Sequence, residues 1–199
     1  MIFNILYIII IFMISIPNSY AVGEFKPTEQ ELRLLPPYCK PKAINLNSNT
    51  GPYQRYRPLI KKWRKILGPD YAHLHHYCRA LQFINKAYKD PKQKNYYYKV
   101  ALADINYMEK NAHKNFVLMH EIYYTKGNIL KRLGNNGEAV TYYVKSMRQK
   151  KDYAAPYAKL IDLFIELGMK DRAKKVLKTG LKYNPKSKAL IKRKAKLDS

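Results

Sequence analysis

Acidic side chains are scarce in this sequence. Fourteen Asp and Glu residues accompany 38 Lys and Arg residues, so the formal net charge is +24. Because the acidic residues are few and scattered, a catalytic pair of carboxylates is not indicated. The sequence also lacks a Gly-x-Ser-x-Gly motif, a phosphate-binding glycine loop and the His-Glu-x-x-His helix of zinc hydrolases. We therefore expect a protein that is not an enzyme and that uses no cofactor.

Long apolar runs are absent except at the amino terminus, where residues 5–16 are apolar apart from Ser15. This run is short for a bilayer span and has the length of a signal-peptide core. The small residues Ser19 and Ala21 predict cleavage after Ala21, although no Lys or Arg precedes the run. We expect a signal peptide over residues 1–21, a periplasmic or secreted product and no later transmembrane span. An uncleaved N-terminal membrane tether is the alternative.

Cysteine is also scarce, since Cys39 and Cys78 are the only two. An even pair of cysteines in an exported chain favours a disulfide. Such a bond would join the proline-rich arm around Cys39 to the first well-patterned helix. Two buried free thiols are the alternative.

The histidines near Cys78 raise the question of a metal site. His75 and Cys78 are three residues apart and could chelate zinc or copper on a helix. Further ligands would have to come from Cys39, His113 or His120. Because no Cys-x-x-Cys spacing supports this arrangement, we expect packed or capping histidines and keep the metal site as an alternative.

Helical periodicity dominates the chain from residue 53 onward. The preceding prolines and the Asn-rich segment predict an irregular arm over residues 22–52. Helices are predicted at about 53–67, 71–88, from 95, 114–133, 136–150, 154–167, 171–183 and 187–197, with no competing strand pattern. Gly134 and Gly168 follow predicted helix ends, where glycine accepts a left-handed backbone.

The chain repeats itself at an offset of 34 residues. The matched pairs are Tyr123 with Tyr157, Leu130 with Phe164, Leu133-Gly134 with Leu167-Gly168, Ala139 with Ala173, and Tyr143 with Leu177. This pattern resembles the tetratricopeptide repeat, a helical hairpin of 34 residues. The resemblance implies an all-α, right-handed superhelical stack. It assigns repeats to residues 120–153 and 154–187 and a C-terminal capping helix to residues 188–199. Residues 53–119 are assigned as an N-terminal helical region that contains a degenerate hairpin, from Tyr71 to Met108.

The same resemblance implies a partner-binding groove on the first helix of each hairpin. It assigns to that groove Glu121, Tyr124, Asn128, Lys131, Ala158, Asp162 and Ile165, with Tyr77 and Leu81 from the degenerate unit. An alternative is that Tyr77 and Tyr124 pack between helices. The motifs at residues 35–39 and 67–78 look like those of a group of small exported bacterial proteins of this repeat class. We expect an envelope adaptor that binds a protein or peptide.

The excess of positive charge allows a second hypothesis, because a polyanion such as nucleic acid or an anionic lipid surface would also bind it. The composition offers a simpler explanation. Lys, Asn, Ile and Tyr are abundant and share AT-rich codons, so compositional drift alone would produce a basic chain.

Overall fold

The structure, a computed structural model, describes residues 24–44 and 50–198. In these residues it contains nine α-helices: α1 (Glu29–Arg33), α2 (Leu59–Leu67), α3 (Leu74–Lys89), α4 (Lys94–Asn111), α5 (Met119–Arg132), α6 (Asn136–Gln149), α7 (Ala154–Glu166), α8 (Lys170–Tyr183) and α9 (Lys188–Asp198). Short 3-10 helices occupy Pro37–Ala43, Gln54–Tyr56 and Pro69–His73. The predicted signal peptide and its cleavage site lie outside the described residues.

The helices pack as consecutive antiparallel pairs. Helix α3 pairs with α4, α5 with α6, and α7 with α8, while contacts of α4 with α5 and of α6 with α7 join successive pairs. Helix α9 packs on both α7 and α8 at the C-terminal end. The predicted all-α fold of stacked hairpins is therefore confirmed.

The two predicted glycine caps are confirmed. Gly134 and Gly168 have φ angles of +86° and +73°, in the left-handed region. Each allows the next residue to reach back to its helix, since the Asn135 amide donates to the Leu130 carbonyl at 2.9 Å and the Met169 amide to the Phe164 carbonyl at 2.8 Å. These turns set the sharp reversal between the paired helices.

Two apolar clusters form the core along the stack. The first runs from the N-terminal arm through α3 and α4 to Ile129. The second runs from Leu130 through α6, α7 and α8 to Leu197. Leu102 of α4 packs against both, so the hydrophobic interior continues from one hairpin to the next.

The arm predicted to be irregular contains local helical structure. Thr28 caps α1, because its Oγ1 accepts from the Glu31 amide at 3.2 Å while Glu31 Oε2 accepts from the Thr28 amide at 2.8 Å. The prolines of this arm fit the 3-10 helix that follows, since Pro37 occupies the first turn, where no amide partner is needed. The prediction was therefore wrong for residues 29–33 and 37–43.

The described part of the chain contains no helix with the length and apolar character needed to cross a membrane.

Candidate functional site

Helices α3, α5 and α7, the first helices of the three hairpins, together line a groove. A cavity of about 580 Å³ lies against Tyr88 of α3, Lys159 and Glu166 of α7, and Tyr124, Asn128, Lys131 and Arg132 of α5. A second cavity of about 180 Å³ adjoins it between α3 and α5, with Leu81, Ile84, Tyr98 and Ile129 as its apolar lining. Both cavities share Tyr88, Tyr124, Asn128 and Arg132, so they form one continuous groove.

Four of the predicted groove residues lie on this surface. Leu81 lines the smaller cavity, Lys131 lines the larger one, and Tyr124 and Asn128 line both. The Tyr143 hydroxyl donates to Asn128 Oδ1 at 3.0 Å, and the Lys131 ammonium pairs with Glu166 Oε1 at 2.7 Å. These contacts hold Asn128 and Lys131 in place, and all four side chains stay partly exposed.

Tyr77 and Glu121, also predicted for the groove, contact the N-terminal arm instead. Tyr77 is buried, with its hydroxyl 3.2 Å from Thr125 Oγ1 and its ring stacked on Tyr38. The Tyr38 hydroxyl donates to Glu121 Oε2 at 3.3 Å, and burial raises the pKa of Glu121. The prediction is corrected for Tyr77, which packs between helices as the alternative had it.

Helix α9 contacts two of the three groove residues predicted on α7, Ala158 and Asp162. Arg193 Nε donates to Asp162 Oδ1 at 2.8 Å and to the Ala158 carbonyl at 2.9 Å, and a second guanidinium nitrogen contacts Asp162 Oδ2. Ala158 is buried, and Ile165 packs against the second apolar cluster. The prediction is corrected here because an internal ion pair with α9 already occupies Asp162.

Sequence reasoning missed four groove residues: Tyr88, Arg132, Lys159 and Glu166. The rule used for the groove takes repeat positions 2, 5, 9 and 12. Lys159, Arg132 and Glu166 occupy the neighbouring positions 6 and 13, from which long side chains still reach the same surface. Including those flanking positions for long charged residues would have found three of the four.

The structure forms the predicted disulfide between Cys39 and Cys78, with 5.5 Å between the Cα atoms. It fastens the 3-10 helix Pro37–Ala43 to α3, next to the ring of Tyr38. Tyr38 contacts Trp63 edge-on and stacks on Tyr77, so the arm packs against α2 and α3 at the N-terminal end of the stack.

The alternative metal site of His75 and Cys78 is wrong, because Cys78 is bonded to Cys39 and offers no thiolate. Among the described residues no group of three or more His, Cys, Asp or Glu is arranged to hold a metal ion. Burial, with the nearby His76 and Lys42, lowers the pKa of His75 to about 4, so His75 is neutral at neutral pH.

The neighbouring histidine takes part in a buried polar network between α3 and α4. Asp104 is fully buried and accepts from Arg79 Nε at 2.7 Å, while its other oxygen lies 3.0 Å from His76 Nδ1. The Tyr107 ring stacks on His76 at 3.7 Å between centroids. This network pairs both oxygens of the buried Asp104 carboxylate. His76 is packed between the helices, as the sequence predicted.

Small residues set the distance between the paired helices. Ala139 and Ala173 are fully buried at equivalent places in two hairpins, 34 residues apart. A Cβ on Gly127 would lie 2.7 Å from the ring of Tyr143, and one on Gly180 would lie 3.1 Å from Leu190. Residues 130–197 match the model of the tetratricopeptide repeat family.

The family match begins within α5 and extends to α9. A tetratricopeptide repeat region implies a protein-interaction module, and the match is not to an enzyme family. No curated protein matches the chain.

Proposed function

We propose that this chain is an exported, non-catalytic adaptor that binds a peptide or helix of a partner protein in the groove of α3, α5 and α7. One observation carries the proposal: the groove runs continuously across three stacked hairpins and is lined by partly exposed aromatic, amide and charged side chains. Grooves of this shape and chemistry suit an extended peptide or an amphipathic helix.

Two features support export to the cell envelope. The N-terminal apolar run and the small residues before position 22 have the pattern of a cleaved signal peptide. The Cys39–Cys78 disulfide fits an oxidising compartment such as the periplasm, because cytosolic proteins rarely keep structural disulfides.

Site-specific photo-cross-linking tests the groove. In the full-length chain, Tyr124 is replaced with p-benzoylphenylalanine, and cells producing the protein are irradiated. We expect a cross-linked product with one defined protein in the periplasmic fraction. The intact mass of the uncross-linked chain in that fraction should show cleavage after Ala21.

A matched aromatic outside the groove supplies the control. Tyr183, at the end of α8, is also partly exposed but does not line either cavity. The same photoreactive residue at Tyr183 should not capture that protein. Equal capture from both positions, or no product from Tyr124, would contradict a groove-bound partner, and an uncleaved cytoplasmic chain would contradict export.

A further inference from the structure

The larger cavity of the groove carries uncompensated positive charge. Three cationic side chains, Lys131, Arg132 and Lys159, line it together with one carboxylate, Glu166. Glu166 is paired with Lys131. Within residues 24–44 and 50–198, neither Arg132 nor Lys159 is in an ion pair. Two positive charges therefore face the cavity without a protein counter-charge.

A neutral amide beside these charges can also donate hydrogen bonds. Tyr143 donates to Asn128 Oδ1, which leaves the Nδ2 group as the remaining donor of that amide. The Arg132 guanidinium lies over the Tyr88 ring, 5.6 Å from its centroid. A guanidinium held over a ring face keeps N–H groups available at its edge. The cavity thus combines positive charge with hydrogen-bond donors, which is the complement of a carboxylate.

The smaller cavity has the opposite character. Its lining is mainly apolar, with Leu81 and Ile84 on α3, Tyr98 on α4 and Ile129 on α5. Because it shares Tyr124 and Arg132 with the larger cavity, neighbouring side chains of one extended peptide can enter both. An extended chain advances about 3.3 Å per residue, so residues a few positions apart reach adjoining cavities.

We propose that the groove selects acidic peptide segments, with an aspartate or glutamate side chain bound by Arg132 and Lys159 and a nearby apolar side chain bound between α3 and α5. This inference rests on the proposed function, since it names the chemistry of the peptide that the adaptor binds. Charge complementarity is its basis, because the charges of the larger cavity that are unpaired within the described chain, Arg132 and Lys159, are positive. The smaller cavity beside them is mainly apolar.

Four fluorescein-labelled decapeptides of Gly and Ser test this selectivity by fluorescence anisotropy with the mature, disulfide-bonded protein. The first contains a Leu followed by Glu and Asp, the second replaces the acids with Gln and Asn, the third replaces Leu with Ser, and the fourth replaces the acids with Lys. We expect the amide peptide to bind at least about tenfold more weakly than the first, because its neutral side chains cannot form charge-assisted hydrogen bonds with Arg132 and Lys159. The Ser peptide should be weaker by several-fold and the Lys peptide should not bind.

The overall charge of +24 would attract any acidic peptide, so the variants are matched in charge. The pair Arg132→Glu and Lys159→Glu alters the groove. The control pair, Lys174→Glu and Lys178→Glu, changes the net charge by the same amount but lies on the exposed side of α8. That part of the chain is itself strongly basic, since residues 168–198 contain twelve Lys and Arg and two Asp. The groove pair should abolish binding of the acidic peptide, and the control pair should change it by less than about threefold.

Arg132→Gln with Lys159→Gln keeps the test valid if the charge reversal disturbs folding, which circular dichroism would report. Equal losses from the groove and control pairs would overturn the proposal in favour of diffuse electrostatic attraction. Equal binding of the acidic and amide peptides, or binding of neither, would also overturn it. The Tyr124 cross-link reports separately whether the groove binds any partner, so the acidic selectivity can fail while the proposed function stands.

Discussion

Gly127 lies where α5 crosses α6 at close range. A Cβ at this position would lie 2.7 Å from two ring carbons of Tyr143, and that ring is fully buried and cannot swing away. We predict that Gly127→Ala destabilises the protein by about 1–3 kcal/mol through overpacking, even though alanine favours a helix by about 1 kcal/mol. Urea unfolding followed by circular dichroism measures the change.

The control for this prediction is Gly137, a glycine in α6. Among the described residues, no side chain or neighbouring helix would lie within 4 Å of a Cβ added at this position, apart from its two chain neighbours. Gly137→Ala should leave the free energy of unfolding unchanged or raise it by up to about 1 kcal/mol. If both alanine variants were equally stable, the close approach of α5 and α6 at Gly127 would be contradicted.

A groove residue could be predicted from the sequence only where its position in the repeat alone decides whether its side chain is exposed in the groove. Tyr124, Asn128 and Lys131 follow that rule because their side chains line the larger cavity and stay partly exposed. Tyr77 and Asp162 depart from it because residues far away in sequence, Tyr38 and Arg193, lie over them. Repeat position carries no information about such tertiary partners, so the ends of the groove could not be predicted.

The three central helices are joined by one carboxylate. Glu109 of α4 accepts from Lys126 of α5 at 2.6 Å, from Lys145 of α6 at 3.0 Å and from the Tyr142 hydroxyl at 2.9 Å. Burial by itself would raise the pKa of Glu109, but the hydrogen bonds from Lys126, Lys145 and Tyr142 outweigh it and hold the pKa below its ordinary value. The ionised carboxylate thus links three successive helices.

This link makes the contribution of Glu109 to stability depend on pH. Since the folded-state pKa is lowered, the contribution is fully present above the ordinary pKa of 4.5 and is lost as pH falls through the folded value. We predict that Glu109→Gln lowers the free energy of unfolding by about 1 kcal/mol at pH 7, and that the difference from the unsubstituted protein shrinks below pH 4.5. Urea titrations at a series of pH values measure it.

Glu138, an exposed residue in the first turn of α6, provides the matched control. Glu138→Gln should cost less at pH 7, because within the described residues that side chain makes no comparable link between helices. A Glu109→Gln difference that stayed constant from pH 7 to pH 3 would contradict the ionised link.

Helix ends were predictable where local chemistry ends the helix. The predicted 136–150 and 154–167 agree closely with α6 and α7, because Gly134 and Gly168 mark their boundaries. Helix α5 was predicted to start at residue 114 but begins at Met119. There the Asp70 carboxylate accepts from the His113 amide at 3.1 Å and holds the preceding segment in turns. Helix α1 was missed although its capping residues, Thr28 and Glu31, have the spacing that marks a helix start.

At the scale of the whole molecule, the Cys39–Cys78 disulfide fixes one end of the stack. The first apolar cluster includes Phe25, Leu32 and Leu35 of the arm, so burying them depends on the arm staying in place. The second cluster, from Leu130 onward, lies at the other end and draws its described members from outside the arm. Loss of the disulfide should therefore affect the two ends of the molecule unequally.

We predict that Cys39→Ala with Cys78→Ala lowers the free energy of unfolding by about 3–4 kcal/mol, because the bond closes a loop of 39 residues in the unfolded chain. Hydrogen exchange at neutral pH should show the loss of protection in the arm and α3, where Tyr38 and Tyr77 pack together, with α7 and α8 little changed. Intact mass before and after reduction, differing by two hydrogens, establishes that the starting protein is oxidised. Uniform loss of protection along all helices would show instead that the stack unfolds as one cooperative unit, and unchanged stability would show that packing alone holds the arm.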